Sequence, residues 1–325
     1  MVDIVMIWVD GNDPEWQKEF NKYSSNNAGD KRVIRFRDWD NLKFWFRGVE
    51  KFAPWVRKVH FVTCGHYPDW LDLNAPKLNF VKHSDYIPSE YLPTFNANTI
   101  ELNLHRIEGL SEQFVFFNDD MFFLSPVKEE RFFKNGLPCD MGVQTALMVN
   151  GIGRITYNDL EVINRHFNKK DVIKRNFFKY YNWSYGKELF KNICITPWPQ
   201  ITGFVNAHTA NAYLKSTLEK VWEKEGEILH QTCLHKFRTI EDVNQYLFRF
   251  WQLCSGEYYP INTRKDTEQI DITKEKLMLI KKIISKQEKK IVCLHDECWS
   301  DFEFCKNEIL KYFEEILPDK SSFEK

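Results

Sequence analysis

Residues Phe114-Val115-Phe116-Phe117-Asn118-Asp119-Asp120 run from an apolar stretch straight into two adjacent carboxylates, and Met121-Phe122-Phe123 resumes the apolar pattern at once. A short continuous apolar run bounded by turn residues reads as a buried strand. Such a strand lifts Asp119 and Asp120 to the edge of a sheet, where ligands bind in open α/β folds. Paired carboxylates at that edge can hold a divalent ion that neutralises phosphate charge. The same two residues also suit a plain turn or a helix N-cap.

Toward the N-terminus, Val2 to Val9 reads as another buried strand, broken by the dense turn signal Asp10-Gly11-Asn12-Asp13-Pro14. Leu42, Trp45, Phe46 and Val49 recur at helical spacing within 42–52, with Lys43, Arg47 and Glu50 on another side. Val59 to Thr63 and Leu78 to Val81 are further strands. Asn98 to Arg106 predicts a helix whose apolar face carries Ile100, Leu104 and Ile107. Glu101, His105 and Glu108 share a different face of it. The order strand, helix, strand, strand, helix, strand, with carboxylates at strand ends, is an α/β pattern.

Past the carboxylates the reading turns helical. Gly151 to Lys191 is rich in Asn, Lys, Tyr and Phe and predicts a helical insert or lobe. Thr196-Pro197-Trp198-Pro199 is a rigid extended entry to Gly203–His208 and a helix through Glu225. Ile240 to Leu253 predicts another helix, and Lys274 to Lys286 a basic amphipathic one. That basic helix either lies on an anionic membrane or packs its Leu277, Ile280 and Ile284 stripe on the core; packing is the preferred reading. A strand at Ile291–Leu294 runs into His295-Asp296-Glu297, and a final helix spans Phe302 to Ile316. Cys293, His295, Cys298 and Cys305 are zinc-type ligands, but their alternation is poor for a tetrahedral site, so buried thiols are preferred.

The whole chain narrows the function. Its 325 residues, 28% of them charged, form a globular composition rather than a membrane protein's. A net charge of -1 gives no basic excess to drive nucleic-acid binding. With 11 Trp and 27 Phe, some aromatic planes are expected to line a pocket for sugars or bases. No signal peptide or spanning segment is expected, and scattered cysteines fit a reducing cytoplasm. There is no G-x-G-x-x-G, no P-loop and no G-x-S-x-G, which argues against dinucleotide oxidoreductases, P-loop kinases and serine hydrolases of the elbow type. What remains suits metal-assisted transfer of a phosphate-bearing group.

Four ordered blocks resemble the Stealth family of capsular-polysaccharide phosphotransferases. They are Asp3–Pro14; Arg37–Pro126, with Leu92-Pro93-Thr94-Phe95-Asn96 and Phe117-Asn118-Asp119-Asp120 inside it; Ala207-His208 with Arg238–Phe250; and Val292-Cys293-Leu294-His295-Asp296 with Ser322-Phe323-Glu324. One departure is His295, where the family usually has Asn. The resemblance implies a single Stealth-type catalytic domain over 1–325, with 127–195 a helical insert. Its core would be Rossmann-like, similar to nucleotide-sugar transferases, with helical additions.

The implied reaction moves a sugar 1-phosphate from a nucleotide sugar, a UDP-hexose or UDP-N-acetylhexosamine, to a hydroxyl of an acceptor glycan. A phosphodiester forms and a nucleoside monophosphate leaves. The implied catalytic residues are Glu101, Asp120, His208 and Arg238. Implied substrate contacts are Asp10, Gly11, Arg47, Asn118 and His105. Asp119, Asp120 and Asp296 are the expected ligands of Mg²⁺ or Mn²⁺. The expected setting is cytoplasmic, peripheral at the inner face of the membrane, with a lipid-linked acceptor. A metal-dependent GT-A type glycosyltransferase and a non-catalytic glycan-binding protein stay open as rivals.

Overall fold

The computed structural model describes residues 1–147, 153–206, 208–298 and 300–325. Ala207 of the third block and residues 148–152, inside the expected insert over 127–195, lie outside the described residues.

The first part of the chain runs β1 (Val2–Ile7), α1 (Pro14–Ser24), α2 (Leu42–Phe52), β2 (Val59–Thr63), β3 (Leu78–Lys82), α3 (His83–Tyr86), α4 (Ala97–Leu102), β4 (Gln113–Asn118) and β5 (Met121–Phe123). It continues through β6 (Phe133–Lys134), β7 (Leu137–Asp140), α5 (Gly153–His166), α6 (Lys169–Arg175), α7 (Phe177–Tyr180) and α8 (Leu189–Ile195). The last part holds β8 (Asn211–Leu214), α9 (Lys215–Leu234), α10 (Tyr246–Ser255), β9 (Tyr259–Pro260), β10 (Thr267–Ile272), α11 (Leu277–Lys286), β11 (Ile291–Asp296) and α12 (Phe302–Ile316).

The main sheet has the order β3-β2-β1-β4-β8, parallel except for β8 at one edge. Its strands are apolar on both sides because helices cover both faces. On β1, Ile4 and Met6 enter one core while Val5 enters the other; on β4, Val115 and Phe117 oppose Phe114 and Phe116. The period of two along each strand sends alternate side chains to opposite layers. Helices α2, α11 and α12 build one core, and α4, α5, α9 and α10 the other.

The sheet order reverses direction between β1 and β4, where Ile7 pairs with Asn118. Crevices open at such reversals, beyond the carboxyl ends of the strands. The chain leaves the main sheet at Asn118, turns through Asp119 and Asp120, and enters a second sheet of order β10-β11-β5. The carboxylate pair therefore sits where two sheets meet.

Several expected elements differ. The helix expected over Asn98–Arg106 stops at Leu102, because the Asn103 side-chain amide turns back onto the Thr99 carbonyl at 2.8 Å. Glu101 and His105 consequently do not share a helix face. The helix expected from Ile240 begins only at Tyr246; the preceding loop folds around buried Asp242, whose carboxylate accepts from the Asn96 and Asn98 amides at 2.9 Å each. Helix α9 extends beyond Glu225 to Leu234, with non-helical backbone at Glu225 itself. Strands β5, β8 and β10 had no clear signal in sequence. Helix α11 buries Leu277, Ile280 and Ile284 as expected. Among the described residues no helix is long and apolar enough to cross a membrane.

Candidate active site

A cavity of about 420 Å³ opens at the β1/β4 reversal. Its floor is Asn118, Asp119 and Asp120; its walls include Glu101 from α4, His208, Arg238 from the loop after α9, and His295 from β11. Four segments far apart in sequence thus converge on the two carboxylates.

Local contacts explain the convergence. The Leu294 amide donates to the Asp120 carbonyl at 2.8 Å, and Cys293 pairs with Met121 across the antiparallel β11/β5 ladder. Cys293 and His295 are two residues apart and share a face. The Cys293 thiol donates to Asp120 Oδ2 at 3.3 Å, and His295 comes up beside it. His208 Nε2 lies 3.6 Å from Asp120 Oδ2, and its Nδ1 lies 3.5 Å from the Tyr246 hydroxyl. The loop carrying Arg238 is fixed by Asp242, which also binds His235 at 2.7 Å and Thr239 at 2.8 Å. The same carboxylate holds Asn96, the N-cap of the helix bearing Glu101. One buried Asp therefore sets Arg238 and Glu101 relative to each other.

Ligand atoms of Asp120, His208 and His295 all fall within 4.8 Å of one another. Among the described residues Asp120 Oδ1 is buried without a hydrogen-bond partner, which is costly unless something else satisfies it. A carboxylate with two imidazoles is a donor set that suits a divalent transition ion, and Mg²⁺ less well given its preference for oxygen. The residues present fit a cation.

The charges agree with that fit. Asp119 is open to the cavity yet enclosed by protein mass; burial, then Asp120 and Asp38, push its carboxyl up to about 7. Burial also raises Glu101 to about 7, against the pull of Arg238, the Gln245 backbone and His208. Asp38 rises to about 6, chiefly through burial and its neighbour Asp40. Burial works to lower His208, but Asp120 and then Glu101 outweigh it and hold the ring above its ordinary value. The cavity thus gathers more carboxylate than its own histidines neutralise.

Arg35, ion-paired with Asp30, and Arg238 also line the cavity. Burial and the charge of Arg238 lower the Arg35 guanidinium, while Asp30 opposes them. Two guanidiniums near enough to disfavour each other suit an anion between them. Trp8, Trp16, Trp39 and Phe95 supply aromatic walls.

The other expected site residues have other partners, although Asp296 also lines the cavity. Asp296 does not offer free oxygens to a metal: both are taken by Arg37 at 2.6 to 2.9 Å, with Trp39 and the Cys298 amide each adding a bond at 3.0 Å. On a strand, adjacent residues face opposite ways, so His295 meets Asp120 and Asp296 turns to Arg37. Arg47 is away from the cavity; it clamps the C-terminal segment through Glu324 at 2.8 and 2.9 Å and the Leu317 carbonyl at 2.8 Å. His105 is buried beside Trp222, its ring centre 5.8 Å away, and burial lowers it to about 3. Gly11 serves packing: a Cβ there would lie 2.1 Å from the Phe36 carbonyl oxygen. Asp10 shapes the same turn, accepting from the Asn12 amide at 2.8 Å. The four zinc-type residues do not converge; Cys298 and Cys305 face each other at 3.2 Å while Cys293 and His295 face Asp120.

The fold is a mixed α/β one whose cavity gathers a carboxylate–histidine group and two arginines. The description "Stealth protein CR2, conserved region 2" matches residues 35–140. The capsular polysaccharide phosphotransferase WcwK of Streptococcus pneumoniae is 42% identical, over 100% of this chain and 98% of its own length. The receptor polysaccharide phosphotransferase WefC of Streptococcus oralis is 39% identical over 99% of each chain. The exopolysaccharide phosphotransferase cps2G of Lactiplantibacillus plantarum is 36% identical over 100% of this chain and 96% of its own. The chain belongs to the Stealth family and is a phosphotransferase. Mouse xyloside xylosyltransferase 1 aligns with 90% of this chain and 97% of its own at 11% identity and a TM-score of 0.37, too low to define a common fold.

Proposed function

We propose that the protein transfers a sugar 1-phosphate from a UDP-hexose or UDP-N-acetylhexosamine to a hydroxyl of a lipid-linked acceptor glycan. The reaction would release UMP at the cytoplasmic face during cell-surface polysaccharide synthesis. The whole chain serves as one catalytic domain with 127–195 as its lobe. The relatives' names support a polysaccharide product. The observation that carries the reading is the cavity itself, which Asp120, His208 and His295 line together with Arg35 and Arg238.

Asp120, His208 and His295 would hold Mg²⁺ or Mn²⁺, which supplies positive charge against the donor pyrophosphate. Arg35 and Arg238 fork onto its oxygens and hold the phosphorus in place. The aromatic wall stacks the nucleoside base. Glu101, held near 7 by burial, takes the proton from the acceptor hydroxyl. The acceptor oxygen bonds to the phosphorus next to the sugar. The bond from that phosphorus to the nucleotide breaks, and its electron pair leaves with UMP.

The sugar–oxygen bond survives this course. A donor carrying ¹⁸O in the bridge between sugar and phosphorus should give a phosphodiester that retains the label. Label departing with UDP would make the protein a glycosyltransferase and overturn the proposal.

A further inference from the structure

Helices α6, α7 and α8 are short because Asn168, Asn176 and Asn182 interrupt the run, two of them by capping the next turn with their side chains. The segment buries Val172, Tyr180, Tyr185 and Asn192. What it leaves outside is unusual. Phe178 is 82% exposed, Trp183 89%, Phe190 68%, Ile193 55% and Trp198 54%. These side chains belong to one region. Lys169 Nζ donates to the Ile195 and Trp198 carbonyls at 2.6 and 2.9 Å, tying the start of α6 to the end of α8. Tyr181 bonds Thr196, which ties the end of α7 to the same place.

The charge of this region differs from that of the rest. Residues 169–198 carry seven Lys and Arg against two Asp and Glu, whereas the remainder carries 38 against 44; of the seven, Lys169 and Lys179 bond to carbonyls within the fold and Lys191 pairs with Glu188. Lys170, Lys174 and Arg175 are exposed and make no ion pair with a described carboxylate. The basic helix α11 and the turn before it are the opposite case. Their Lys274, Lys276, Lys281 and Lys286 are paired with Asp301, Asp271, Glu315 and Glu288, so most of that basic charge is already paired.

We propose that the α6–α8 surface docks on a bilayer containing anionic lipid. Protein–protein interfaces are depleted in Lys at their cores, and here the exposed Lys170, Lys174 and Arg175 lie just before Phe178, with exposed Lys187 between Trp183 and Phe190. Membrane interfaces favour the opposite combination: Trp and Phe enter at headgroup depth while Lys and Arg meet anionic headgroups. Lysine stems lie along apolar surface with the charge kept outward. Helix α5 links this surface to the site, since Asn158 donates to the Ile240 and Asp242 carbonyls at 2.9 and 2.8 Å, beside the Arg238 loop. Docking would hold the cavity at the plane where a lipid-linked acceptor lies, a consequence that rests on the proposed reaction; the docking itself does not.

The test is flotation of the full chain with vesicles of phosphatidylcholine alone or mixed with phosphatidylglycerol, with no nucleotide sugar present. Wild type should float with the mixed vesicles, far less with phosphatidylcholine alone, and less as salt rises. Each basic contact at an anionic surface is worth about fivefold in affinity. Lys170→Glu with Lys174→Glu should therefore weaken binding by on the order of tenfold or more. Phe178→Ser with Trp183→Ser should do the same, and Met278→Ser with Leu279→Ser on α11 should leave it unchanged. Both surface pairs should keep the wild-type melting midpoint. Equal binding by wild type and both surface pairs overturns the proposal, as does absence of binding to the mixed vesicles. A change confined to self-association in light scattering, without loss of flotation, would assign the surface to a second copy instead and also overturn it.

Discussion

Asp3 and Asp120 are both carboxylates built around the same sheet, and each faces a histidine. Asp3 belongs to a closed network. It accepts from Arg57 Nε at 2.8 Å, contacts His60 Nε2 at 3.0 Å and accepts from the Ser111 amide at 2.8 Å, while Asn79 meets the other nitrogen of His60 at 2.8 Å. Asp120 has one oxygen near His208 and Cys293 and one buried oxygen with no hydrogen-bond partner among the described residues. A carboxylate–histidine pair is a structural tie when every polar atom is satisfied and a site when one is left open to a cavity. Residue type alone does not separate the two.

The comparison can be broken at either end. Asp3→Asn should give the largest effect, a loss of about 3 kcal/mol from removing one charge of a buried pair, read by denaturant unfolding. Burial raises Asp3, but His60, Arg57 and the Ser111 amide outweigh it and hold the carboxyl down to about 2. The sign follows: this stabilisation is present above the ordinary carboxylate range near 4 and is lost as pH falls toward 2. The acid-labile increment should be missing from Asp3→Asn. An unchanged unfolding profile would remove Asp3 from the closed network.

Asp120→Asn should do the reverse. Turnover should fall about a hundredfold or more while the melting midpoint stays near wild type. EDTA should abolish turnover, and Mg²⁺ or Mn²⁺ should restore it. Wild-type turnover in this variant would make Asp120 a turn residue. A smaller effect belongs to the two arginines. Arg35→Ala and Arg238→Ala should each lower kcat/KM by on the order of tenfold, and the double variant by less than the product of the two. Full multiplicativity would mean that the two guanidiniums do not share a ligand.

Much of this contrast lay in the sequence, for identifiable reasons. The strand ending at Asp119 and Asp120 is a local signal, an apolar run with an abrupt polar stop. The motif resemblance pointed to Glu101, Asp120, His208 and Arg238, which the fold brings to one cavity. In sequence His295 stands out as a departure from the family and as one of four zinc-type residues; its place beside Asp120 depends on the register of β11 against β5, a pairing remote in sequence. Parity along that strand could have shown that His295 and Asp296 cannot both face Asp120. Arg35 lies in a connection without periodicity; alternating basic and apolar residues from Arg32 to Arg37 were its only trace. Arg47 and His105 read as site residues in sequence because residue type does not reveal whether a side chain meets a cavity, the Glu324 carboxylate or a Trp face.

The central claim is that the open carboxylate–histidine group is a cation site, and Mn²⁺ binding followed by electron paramagnetic resonance tests it most directly. Wild type should bind a single Mn²⁺. Asp120→Asn should lose it, and His295→Ala should weaken it by about tenfold or more, the scale expected for a damaged metal shell. Absence of Mn²⁺ binding in the wild type, or equal affinity in both variants, would contradict the account.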